Sequence, residues 1–176
     1  DIDGLKRVKQ ATHVPIAAHE SAWNMYDTLR LIKENAVDII QLDNRFNVGV
    51  HGARIAAGMC EAAGIPVISH AYYEFGVSVV ERLHFIASCP ACTMAHQTCE
   101  YEYLSDDIIV GGKLKIENGC FELPEGPGLG VTLDYEKLDK YHEVYIKEIL
   151  EGGYEHKLES PIYGAMYARN YLKDLY

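Results

Sequence analysis

Short apolar runs alternate with longer amphipathic stretches along the first hundred residues. Four runs, at 14–18, 37–42, 65–69 and more weakly 91–95, end respectively at His19 and Glu20, at Asp43, at His70, and at His96 and Gln97. The segments between them, about 22–36, 50–63 and 77–88, carry apolar residues at helical spacing, such as Leu29, Ile32 and Ala36, then Ile55, Met59, Ala62 and Ala63. The pattern predicts alternating strands and helices. Mostly apolar strands joined through helices build a parallel sheet covered by helices, and right-handed crossovers leave an open doubly wound sheet or part of a (β/α) barrel. Gly64, Ile65 and Pro66 mark one boundary, the glycine closing a helix and the proline opening a strand where a missing donor costs least.

From about residue 101 the pattern changes. Residues 108–110, 113–117 and 119–123 alternate like short antiparallel strands, with turns at Gly111-Gly112 and Asn118-Gly119. A Pro- and Gly-rich stretch at 124–130 reads as a rigid loop, followed by a charged helix over about 135–150. The tail carries Tyr154, Tyr163, Tyr167, Tyr171 and Tyr176, either a docking helix or a packed surface element. The expected division is 1–104 for the β/α part, 105–134 for a β-rich segment and 135–176 for the C-terminal helix and tail.

Composition narrows the classes of function. The 176 residues hold 26 acidic and 16 basic side chains, a net charge of −10. Phosphate binding needs clustered Lys and Arg, and here the basic residues are scattered among more numerous acids, so nucleic acid is not the expected partner. No apolar run reaches the roughly 18 residues of a membrane span. Cys60, Cys89, Cys92, Cys99 and Cys120 form an odd set, read as reduced thiols of a cytoplasmic protein.

The ionisable residues fall where α/β folds build their sites. Glu20, Asp43 and His70 each follow a successive strand, at its C-terminal end. No Gly-rich phosphate loop follows any strand, so a nucleotide-binding sheet has little support and a barrel is the better reading. Plainer roles exist for each residue: Glu20 as a first-turn acid favoured by the helix dipole, Asp43 as a turn residue ahead of Asn44 and Asn47, His70 as a satisfied core histidine.

The run from Pro15 through His19, Glu20 and Ser21, the segment 38–43 ending at Asp43, Gly49 opening a helix, and the segment 61–67 leading to His70 resemble the second half of the catalytic barrel of the enolase superfamily. Within it, the mandelate racemase and muconate lactonizing enzyme family is the match, and the segment 123–130 is similar to its return toward a capping domain. The resemblance covers about residues 1–140. It implies the C-terminal half of a (β/α)7β barrel, with Glu20 the last of three acidic Mg2+ ligands. It also implies Asp43 and His70 as a dyad in which the histidine is general acid/base. Chemistry agrees: taking a proton from beside a carboxylate builds a second negative charge there, which calls for a divalent cation and a nearby base. His19, Asn44, Arg45, Tyr73, Gln97 and Glu100 are candidate substrate contacts.

On this resemblance the chain is the C-terminal part of a longer enzyme, its other metal ligands, first-half base and capping domain lying before Asp1, and is not active alone. The expected reaction is dehydration of a sugar acid, with racemisation or epimerisation as the alternative. The expected partners are a small-molecule carboxylate, the preceding half of the enzyme and further copies of itself. A different class of function rests on Cys89, Cys92, His96 and Cys99, four soft ligands in eleven residues that could hold zinc or act in redox chemistry. Their spacing matches no common zinc module, and ordinary buried thiols are the simpler reading.

Overall fold

The computed structural model describes residues 1–147, apart from the side chains of Cys99 and Glu100. The tyrosine-rich tail lies outside the described residues. In chain order come α1 (Ile2–Ala11), β1 (Ala17–Ala18), a 3-10 turn (Glu20–Ala22), α2 (Met25–Lys33), β2 (Ile39–Leu42), α3 (Gly49–Ala62), β3 (Val67–Ser69) and α4 (Gly76–Ala87). The short α5 (Cys99–Glu102), β4 (Ile116–Glu117), β5 (Cys120–Phe121) and α6 (Tyr135–Tyr145) follow. The described residues form two compact units, one of residues 1–71 and 81–98, the other of residues 72–80 and 99–147.

The first unit is α/β. Its sheet is parallel in the order β1-β2-β3, with Ala18 opposite Ile40 and Ile40 opposite Val67. Because side chains alternate along a strand, Ala18, Ile40, Leu42 and Val67 share one face and are buried among Leu31, Ala53, Ala56, Ala57, Cys60 and Phe85. Gln41 and Asp43 belong to the opposite face. That alternation separates core from chemistry. Asn24 starts α2 by accepting from the backbone N–H of Tyr26 and Asp27 at 2.9 and 3.0 Å.

The strands are shorter than the apolar runs that announce them. Val14 is exposed, and Ile16 takes part through its carbonyl, which accepts from Asp38 and Ile39 at 2.8 and 3.1 Å. The run at 91–95 is not a strand. Val67 N–H donates to Ala91 O at 2.8 Å and Gln97 N–H to Ser69 O at 3.1 Å, but between them Ser69 N–H donates to the imidazole Nδ1 of His96 at 3.0 Å. A side chain replaces the expected carbonyl, and the tight turn from Cys89 to Cys92, closed by a 3.0 Å backbone bond, pulls the segment out of register.

In the second unit, the Asn118-Gly119 turn joins β4 to β5 as expected, both residues at positive φ, 52° and 77°. The partner expected for 108–110 is wrong. Ile109 bridges to Leu133, with Val110 N–H donating to Thr132 O at 2.9 Å and Asp134 N–H to Ile108 O at 2.8 Å. Leu114 N–H is diverted to the Tyr101 hydroxyl at 2.7 Å, which removes it from any ladder with 108–110. Asp107, fully buried, is satisfied by the N–H groups of Gly76 and Ile108 and by the Tyr101 hydroxyl. Among the described residues no helix is long and apolar enough to cross a membrane.

Candidate active site

Asp43 stands at the end of β2 with only 3% of its side chain exposed. Its Oδ1 accepts from the backbone N–H of Arg45 at 2.9 Å, shaping the turn, while the Arg45 guanidinium bonds both carboxylate oxygens. Asp43 therefore is a turn residue as well as a candidate for chemistry. Burial alone would raise its pKa, yet the hydrogen bonds and charge of Arg45, joined by His70, outweigh it and hold the carboxyl below its ordinary value. The site carries a fixed negative charge.

His70 follows β3, its backbone N–H donating to Leu42 O at 2.8 Å. Its Nδ1 is 3.1 Å from Asp43 Oδ2. An ionised carboxylate can only accept, so Nδ1 carries the proton and donates it, which leaves the lone pair of the neutral ring on Nε2. Arg45 Nη2 lies 3.4 Å from the same Nδ1, and since a guanidinium only donates, that approach is a near contact and not a second hydrogen bond to the protonated nitrogen.

His19, after β1, stacks on His70 with ring centroids 3.9 Å apart and planes 25° apart. Its Nε2 is buried without a hydrogen-bond partner, 3.8 Å from Asp43 Oδ2. Burial first, then the neighbouring His70, pushes its pKa below the ordinary value. His19, Asp43 and His70 each offer a donor atom, all within 4.8 Å of one another. Face-to-face rings, however, keep their in-plane lone pairs in nearly parallel planes, so the two imidazoles do not converge on one ion as they stand. Glu20 differs. It opens the 3-10 turn, 79% exposed, with its Oε2 3.8 Å from His19 Nδ1. A carboxylate not spent on a buried pair is the hard oxygen donor that Mg2+ takes, and Glu20 fits as one such ligand where Asp43 does not.

Of the other candidates, Asn44 donates to Glu81 Oε2 at 2.8 Å, and Gln97 Oε1 accepts from Gln41 Nε2 at 2.8 Å. Arg45 sits on Asp43, as above. Tyr73 belongs to the second unit, and the side chain of Glu100 lies outside the described residues. Three residues outside the candidate set support the site. Asn47, 2% exposed, donates from Nδ2 to Asp43 O at 3.1 Å and to Ala22 O at 3.4 Å, tying the β2 turn to the β1 turn. Phe46 stacks on His19 at 5.7 Å and Trp23 on Phe46 at 3.9 Å. The only signal for them was position, within a few residues of strand ends.

Cys89, Cys92 and His96 form no metal-binding group among the described residues, and the side chain of Cys99 lies outside them. His96 Nδ1 is committed to Ser69, and burial pushes the thiols of Cys60 and Cys92 up to about 12 and that of Cys89 upward, the opposite of a reactive thiolate.

The Enolase C-terminal domain-like family matches residues 1–138. Arabinonate dehydratase of Saccharolobus solfataricus is 27% identical over 80% of this chain and 37% of its own length. A muconate cycloisomerase of Acinetobacter lwoffii is 28% identical over 78% of this chain and 35% of its own. An enolase from Pseudomonas fluorescens, crystallised with magnesium, potassium and tartrate, superposes with a TM-score of 0.77 at 28% identity, over 83% of this chain and 34% of that one. The chain thus spans about a third of the length of these relatives. The match over 138 of 176 residues and the shared architecture place this chain in the Enolase C-terminal domain-like family of the enolase superfamily.

Proposed function

We propose that the chain is the C-terminal half of the catalytic (β/α) barrel of a Mg2+-dependent enzyme that removes the proton α to a carboxylate. The reaction it serves is dehydration of a sugar acid. The observation that carries this reading is the Asp43–His70 pair, a buried carboxylate 3.1 Å from an imidazole whose other nitrogen is left for proton transfer. His70 Nε2 takes or delivers a proton at the reacting carbon or at the departing hydroxyl. Asp43 holds the ring by Nδ1 and offsets the positive charge that the ring gains, as a carboxylate does for a catalytic histidine elsewhere. Arg45, whose guanidinium is bound to that carboxylate, helps to keep Asp43 ionised beside the ring. Glu20 would hold Mg2+, which when bound stabilises the charge that builds on the substrate carboxylate. Sugar-acid dehydratases among the relatives support dehydration; epimerisation shares the same first proton transfer, and an epimerase is also a relative.

The test uses the complete enzyme that carries this segment. His70→Asn should abolish dehydration of sugar acids while leaving Mg2+ binding, measured by calorimetry, close to the parent value. Turnover retained in that variant would remove His70 from the chemistry.

A further inference from the structure

A hydrogen bond from Nδ1 to Asp43 fixes one point of the His70 ring but leaves the ring able to swing about that bond. A second restraint acts on its face. The rings of His19 and His70 lie 3.9 Å apart and within 25° of parallel, in contact over their flat surfaces. His19 also faces Phe46 at 5.7 Å, and Phe46 is stacked on Trp23 at 3.9 Å and 14°. These rings come from independent supports: His19 from the end of β1, Trp23 from the end of the 3-10 turn, and Phe46 from the turn after β2, its N–H donating to Asp43 O at 3.1 Å. The turn that sets Asp43 therefore also sets the ring behind His19. The buried Nε2 of His19 has no hydrogen-bond partner within the protein, its charged neighbour Asp43 Oδ2 lying 3.8 Å away, beyond hydrogen-bond reach.

We propose that His19 is a positioning residue that fixes the plane of the His70 ring by stacking, so that Asp43 sets where the ring is held and His19 sets how it is turned. The importance of that plane rests on the acid/base role given to His70 above. The positioning does not, since it can be read without turnover.

Nuclear magnetic resonance of the histidine-labelled chain provides the test, through the carbon-bound ring protons of His70 and the exchange of its Nδ1–H with solvent. In the parent chain the ring protons should be shifted upfield by the His19 face and the Nδ1–H should exchange slowly. His19→Leu fills similar space without a flat face and should lose the upfield shift and speed the exchange, whereas His19→Phe should keep both. Amide spectra of each variant report whether the fold is retained, and Trp23→Ala, at a half-exposed position, should speed the exchange less than His19→Leu. Slow exchange kept in a folded His19→Leu chain would overturn the proposal, and so would its loss in a folded His19→Phe chain. Turnover retained in the His70→Asn enzyme would defeat the acid/base reading but say nothing about the ring signals of chains that keep His70, so the two failures separate.

Discussion

A methyl group on residue 52 would lie 1.8 Å from the backbone oxygen of Asn47, closer than any contact permits. Gly52 is thus the point where α3 touches the turn that carries Asp43, Asn44 and Arg45. Gly52→Ala should destabilise the protein by about 1–3 kcal/mol or more, as forced overpacking does. It should also displace Asn47, which links the turns after β1 and β2. Chemical denaturation against the parent would read the first effect, and backbone shifts at Ala22 and Asp43 the second. Unchanged stability would mean that the turn yields at no cost. At this scale the sequence located Glu20, Asp43 and His70 just after three strands, because a strand end is a position that an apolar run announces. It was silent on Gly52, Phe46 and Trp23, whose roles arise only when segments far apart in the chain meet.

Periodicity gave the order β1, α2, β2, α3, β3, α4, since burial of one strand face and one helix stripe writes itself into hydrophobic spacing. It overstated the run at 91–95, because an apolar stretch cannot reveal that an imidazole will take over a carbonyl's place. That imidazole has a measurable signature. Burial, then the charge of Arg82, lowers the His96 pKa from its ordinary 6.5, in keeping with Nδ1 accepting from Ser69 N–H. Unfolded His96 takes up a proton near 6.5 while the folded form resists it, so below that pH the unfolded chain binds more protons and stability falls; above it the contribution is whole. His96→Ala should leave the Ser69 N–H without its acceptor, at about 1–3 kcal/mol, and should flatten this part of the pH dependence. Urea unfolding of both proteins across pH 5–8, the range where histidine titrates, reads both effects. An equally steep slope in the variant would clear His96 of the role.

The first unit leaves β1 paired with β2 alone among the named strands, and an open strand edge is a template for pairing with another chain. We expect the isolated chain to self-associate, seen as a weight-average mass that rises with concentration in sedimentation equilibrium. A constant monomer mass would overturn the expectation of an open edge at β1. The sheet has a further meaning for the molecule. Asp43 and His70 follow neighbouring strands in register, so their separation is set by hydrogen-bonded strands about 4.8 Å apart rather than by the side chains themselves. Backbone hydrogen bonds do not depend on which residue stands at a strand end. The spacing survives when the residues change, and the same frame can be refitted with other acids and bases. The sequence similarity of this one chain to dehydratases, cycloisomerases and an epimerase is what such a fixed ruler would leave behind.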